Sequence, residues 1–120
     1  MVKVHSEVRP WGRFEKFIEN QNCTVKLLHI NSDSRLSLQY HRKRREFWRV
    51  IKGSATVQIL DKELDLKEGE NIIIPKGASH RITTGKTECI ILELSFGEFD
   101  ENDIVRIQDD YGRDLSTNKG

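Results

Sequence analysis

The feature that most limits what this chain can fold into is its rhythm. Apolar residues recur in short bursts, each closed by a turn residue before a helix of three turns has room to form. The bursts are Trp11–Ile18, Cys23–Ile30, Arg35–His41, Phe47–Ile51, Ala55–Leu60, Asn71–Pro75, His80–Thr84 and Glu88–Ser95. Several alternate with a period of two: Val25, Leu27 and His29 fall on one face, Lys26, Leu28 and Ile30 on the other. Gly53, Asp61-Lys62, Gly69, Lys76-Gly77 and Gly85-Lys86 break the runs as turns. Eight short strands at this spacing predict an all-β sandwich or barrel and speak against a βαβ fold. At 120 residues the chain is one domain, 1–120, with its core over about residues 9–97. The charged segment Phe99–Ile107 is expected to form a short helix or turn, and the polar tail Asp114–Gly120 to fray.

Composition excludes several classes. Twenty Lys and Arg face nineteen Asp and Glu, a net charge of +1, which speaks against a nucleic-acid binder. No apolar run approaches the ~20 residues of a membrane helix, so no membrane partner is expected. The opening residues MVKVHSEVRP lack the apolar stretch of a secretory signal. The recurrent apolar bursts speak against disorder. Cys23 and Cys89 each sit in a strand-like run and read as buried free thiols, consistent with a reducing cytoplasm.

The chemistry concentrates in two stretches. Gln39 and His41 are two apart, so on a strand they project to one face, and Glu46 opens the next strand after a basic turn. Later, a strand ends at Pro75, a turn passes through Gly77, and His80 starts the return. If both hairpins line one barrel, Gln39, His41, Glu46 and His80 converge. An amide oxygen, two imidazoles and a carboxylate suit one divalent ion, Zn²⁺ first, with Fe²⁺, Mn²⁺ or Co²⁺ as alternatives, and leave coordination positions open.

At these residues the chain resembles the cupin superfamily. Gln39-x-His41-(x)4-Glu46-(x)6-Gly53 matches its first motif, and Gly69-(x)5-Pro75-x-Gly77-(x)2-His80 its second. The Gln-x-His variant is similar to phosphomannose isomerases, whose metal is held by Gln, His, Glu and His. A wider resemblance, to the type II mannose-6-phosphate isomerases, rests on Arg9-Pro10-Trp11-Gly12, Arg35-Leu36-Ser37-Leu38-Gln39, Glu46-x-Trp48, Ile74-Pro75-x-Gly77-x-x-His80-Arg81, Asp103-Ile104-Val105-Arg106 and Asp109-Asp110-Tyr111-Gly112-Arg113. In many such relatives this cupin is the C-terminal part of a protein that also carries mannose-1-phosphate guanylyltransferase. No Gly-rich nucleotide-binding loop occurs near the N-terminus here. Departures are Asp33 and Thr84 at peripheral motif positions, and Arg42-Lys43 where relatives carry two further histidines after His41.

The resemblance implies a cupin jelly-roll barrel and an isomerase interconverting mannose 6-phosphate and fructose 6-phosphate through an enediolate. Such chemistry needs a Lewis acid, a base and a cationic anchor for the phosphate. Arg44 and Arg81 are the preferred anchors, Lys43 a secondary one, since arginine suits bidentate phosphate contacts. For the base, Glu46, His80 and a hydroxide at the metal stay open, and Arg81 is counted with the catalytic group. The alternatives are a non-catalytic metal- or sugar-binding module and, behind it, a non-haem iron dioxygenase.

Alternation yields one more expectation. With Ser37, Gln39 and His41 facing the site, Leu36, Leu38, Tyr40, Phe47 and Ile51 face outward. Such a face is covered by the N-terminal segment or by a second subunit, and a homodimer is expected. Trp11 and Trp48 read as packing residues, with Trp48 a second choice for lining the pocket. His5 lies in a stretch expected to be flexible and His29 mid-strand, neither with ligand spacing.

Overall fold

A computed structural model describes residues 3–98, 100 and 102–113, so the tail expectation for Asp114–Gly120 lies outside the described residues. The described chain is all-β. In chain order the strands are β1 His5–Arg9, β2 Gly12–Lys16, β3 Thr24–Ile30, β4 Leu38–Tyr40, β5 Arg44–Lys52, β6 Ser54–Ile59, β7 Lys62–Lys67, β8 Asn71–Ile74, β9 His80–Thr83, β10 Cys89–Gly97 and β11 Val105–Gln108. No helix among the described residues is long and apolar enough to cross a membrane.

Two sheets face each other, ordered β3-β10-β5-β8 and β11-β4-β9-β6-β7, while β1 and β2 pair only with one another. All pairing is antiparallel. The interior is filled by the inward residues of both sheets, among them Ile30, Trp48, Val50, Val57, Ile74, Ile82 and Ile91. Burying each such large apolar side chain stabilises the fold by about 1.5–3 kcal/mol.

A second cluster sits on the outside of the first sheet. Phe47, Leu94 and Phe96 are covered there by Val4, Phe17, Ile18 and Cys23, with the Phe17 and Phe47 rings 5.9 Å apart. The expected outward face is therefore covered at Phe47 by the N-terminal segment, and β5 is buried on both sides along most of its length. Ile51 stays partly exposed.

The structure corrects five local expectations, the first at Trp11, which is 72% exposed and not a packing residue. Arg35–His41 is not one long strand: Arg35 makes an isolated bridge to Thr83, and the ladder holds only from Leu38 to Tyr40. The period of two fails there, and Leu36 packs against the interior instead of facing out. His5 lies within the β1 ladder. Lys62–Lys67 and Val105–Gln108 are additional strands. The latter replaces the helix or turn expected over Phe99–Ile107, because pairing with β4 satisfies its backbone.

Candidate metal centre

His41 follows β4, Glu46 lies in β5 and His80 opens β9. Two contacts bring these segments together. Gln39 and His80 are cross-strand partners in the second sheet, so their side chains share a face. The Gly77 N–H donates to the His41 carbonyl at 2.8 Å, tying the β8–β9 turn to the ligand loop. One donor atom from each of His41, Glu46 and His80 lies within 4.8 Å of the others, and all three residues are buried.

Each imidazole is held by its far nitrogen. His41 Nδ1 meets the Asp103 carbonyl at 2.6 Å, and His80 Nδ1 meets the Ala78 carbonyl at 2.9 Å. A carbonyl only accepts, so both Nδ1 atoms carry the proton and both Nε2 atoms keep a lone pair. His80 Nε2 is buried and finds no partner in the protein, which is the cost a metal would remove. Burial lowers the pKa of both rings against the pull of Glu46, that of His80 from 6.5 to about 4, so both are neutral at pH 7. Neutral imidazoles, a carboxylate and the Gln39 amide fit a borderline divalent cation.

Glu46 is oriented by two donors: Arg44 Nε to Oε2 at 2.8 Å and Trp48 Nε1 to Oε1 at 3.1 Å. The Trp48 indole meets the His80 ring edge-on at 5.4 Å. It thus packs the core, orients Glu46 and lines the chamber beside the cluster. Asp103 braces the ligand loop, its carboxylate accepting the N–H groups of Arg42 at 2.9 Å and Lys43 at 3.0 Å. Burial alone would raise its pKa, but these donors outweigh burial and hold it low.

The basic residues separate. Arg44 is buried within the cluster, its Nη2 3.4 Å from His41 Nε2. Lys43 is half-buried and pairs with Glu98 at 3.7 Å. Arg81 lines the chamber beside the cluster, with its donors engaged elsewhere. Residues alternate along β9, and with His80 inward its guanidinium bonds the Leu36 carbonyl at 2.8 Å and Gln108 at 3.1 Å and 3.3 Å. These bonds brace β11.

A chamber of about 30 Å³ adjoins the cluster, lined by Ser37, Gln39, Trp48, His80, Arg81 and Glu93, with Leu28, Leu36 and Ile82 as its apolar wall. Glu93 was not singled out by the ligand spacing. It sits in an apolar strand, yet alternation places it on the inward face with Cys89 and Ile91, and an acid on such a face was the available signal. Lys26 carries the same signal in β3 and is its cross-strand partner. Burial and the nearby Glu46 raise the Glu93 pKa from 4.5 to about 7, against the pull of Lys26 and Arg44.

Comparison with known proteins places this geometry. The family model "Mannose-6-phosphate isomerase C-terminal" matches residues 1–109. The xanthan biosynthesis protein XanB of Xanthomonas campestris is 38% identical over 107 residues, covering 88% of this chain and 23% of its own length. The alginate biosynthesis protein AlgA of Pseudomonas aeruginosa is 38% identical over 112 residues, covering 91% and 23%. The mannose-1-phosphate guanylyltransferase ManC of Salmonella typhimurium is 37% identical over 113 residues, covering 92% and 24%. The chain thus spans about a quarter of the length of these curated relatives. Among solved structures, oxalate decarboxylase from Bacillus subtilis superposes with a TM-score of 0.66 at 26% identity, over 72% of this chain and 24% of its own. A putative sugar phosphate isomerase from Acidithiobacillus ferrooxidans superposes at 0.58 and 18% identity, over 67% and 53%. The fold is the cupin jelly roll, and the chain belongs to the mannose-6-phosphate isomerase C-terminal family.

Proposed function

We propose that this chain is a metal-dependent, cytoplasmic sugar-phosphate isomerase interconverting mannose 6-phosphate and fructose 6-phosphate. The observation that carries the reading is the buried His41–Glu46–His80 cluster, both Nδ1 atoms pinned and both Nε2 lone pairs turned inward, in a chain of this family. Gln39, His41, Glu46 and His80 would hold the ion, Zn²⁺ first, which when bound supplies Lewis acidity toward a sugar carbonyl. Arg44 and Lys43 near the ligand loop, and Arg81 at the chamber, are the candidate cations for the phosphate.

The chamber has room for about one water and none for a hexose. A groove of about 520 Å³ runs outside it along β3 and Tyr111, and shares Leu28 and Leu36 with its wall. Entry of a sugar phosphate therefore requires those two leucines to part. The small chamber is also the observation that favours a second reading, a module that binds metal or sugar without turnover.

One experiment separates the two. Metal-reconstituted protein is expected to interconvert the hexose phosphates, with His80→Ala abolishing both bound metal and turnover. Binding of the sugar phosphate without turnover, with each of Zn²⁺, Mn²⁺, Co²⁺ and Fe²⁺, refutes the isomerase reading and supports the module.

A further inference from the structure

We propose that Glu93 is the carboxyl group that carries the proton between C1 and C2 of the sugar phosphate, an inference that rests on the isomerase reading above.

Sheet register fixes where Glu93 stands. Across the first sheet, Lys26 of β3, Glu93 of β10, Trp48 of β5 and Ile72 of β8 form one row. The neighbouring row is Thr24, Ser95, Glu46 and Ile74. Cross-strand partners point to the same face. Trp48 and Ile74 are core residues, so this face is the interior. Glu93 is therefore a diagonal neighbour of the candidate ligand Glu46, one row deeper, and it lines the same chamber as Gln39 and His80.

The other acid–base groups are committed. Among the described residues the buried carboxyl groups are Glu46, Glu93 and Asp103. Both oxygens of Glu46 are taken by Arg44 and Trp48, and both oxygens of Asp103 by loop N–H groups. The imidazoles hold backbone carbonyls with one nitrogen and face the cluster with the other. Glu93 lies in the chamber without belonging to the ligand set. The cation opposite it is Lys26, and the charged groups bearing on it from β5 are Glu46 and Arg44.

The step balances without a co-reactant. The Glu93 carboxylate removes the C2 proton of the aldose. The C2–H electron pair becomes the C1–C2 double bond, and the carbonyl pair moves onto O1. A proton passes from O2 to O1, the carboxyl group returns its proton to C1, and the O2 electrons close the C2 carbonyl. The reverse sequence converts ketose to aldose.

The test uses the metal-loaded full chain and mannose 6-phosphate in D₂O, followed by proton NMR. Glu93→Gln is expected to lose at least about 100-fold in turnover and in solvent-deuterium incorporation. Its metal content and calorimetric affinity for the sugar phosphate stay at wild-type values. Glu93→Asp keeps a carboxyl group and recovers part of the lost rate. A Glu93→Gln protein as active as wild type overturns the inference and leaves the isomerase reading intact. Glu93→Gln and Glu93→Asp proteins that both lose metal or melt early show a structural role and also overturn it. A wild type that neither turns over nor exchanges overturns the isomerase reading, and this inference with it.

Discussion

At the scale of single residues, the site is governed by which nitrogen or oxygen of a side chain is already occupied. His80 is a ligand candidate because Ala78 takes its Nδ1 and burial keeps it neutral. The same burial makes it a liability in acid. Its pKa is about 4 in the fold against an ordinary 6.5, so the unfolded chain binds more protons between those values. That contribution to stability is present above pH 6.5 and is lost as pH falls toward 4. Glu93 has the opposite sign: its pKa rises from 4.5 to about 7, so its contribution is present below pH 4.5 and is lost as pH rises through 7. Each is on the order of 3 kcal/mol. In chelator-treated protein the two nearly cancel between pH 4.5 and 6.5. Denaturant unfolding of Glu93→Gln in that window is therefore expected to show stability rising with pH more steeply than wild type does. A flat Glu93→Gln profile would refute the assignment of these two groups.

At the scale of elements, short strands depend on what holds their ends. Gly97 ends β10 opposite Arg44, with φ at +106°, and a Cβ there would stand 2.6 Å from the Lys43 carbonyl oxygen. The backbone it would push is the loop between His41 and Arg44. Gly97→Ala is expected to cost about 1–3 kcal/mol and to lower metal affinity together with the melting temperature. Gly85→Ala serves as the control, since a Cβ there meets nothing within 4 Å. Thermal unfolding with and without metal reads both, and equal melting of the two variants would contradict the packing argument. Legibility at this scale was uneven. Asn71–Ile74 and His80–Thr83 stand out because Pro75 and Gly77 bracket them. Lys62–Lys67 escaped notice because its exposed faces carry Lys, Glu and Asp, leaving Leu66 as its one buried residue. Val105–Gln108 escaped because its partner, β4, lies more than sixty residues earlier.

At the scale of the whole molecule, part of the first sheet remains open to solvent. The N-terminal segment covers Phe47, but Val25 and Leu27 on the outer face of β3 are 58% and 55% exposed. We propose that a second copy covers them, as an exposed apolar sheet face favours association. Light scattering is expected to give a dimer, and Leu27→Glu to shift it toward monomer by placing a charge in the contact. A stable monomer at micromolar concentration would dismiss the idea.

By itself the amino-acid sequence determined the class of fold and offered the candidate donor set. Alternation, turn residues and the chemistry of Gln39, His41, Glu46 and His80 are local properties that any pairing of the strands preserves. The tertiary structure alone decided which face meets which. It tied Arg81 to β11, brought Leu36 inside, and set Lys26, Glu93 and Trp48 in one row beside the candidate metal site. Those outcomes depend on register between segments far apart in the chain, and a slip of one residue would send every one of these side chains to the opposite face.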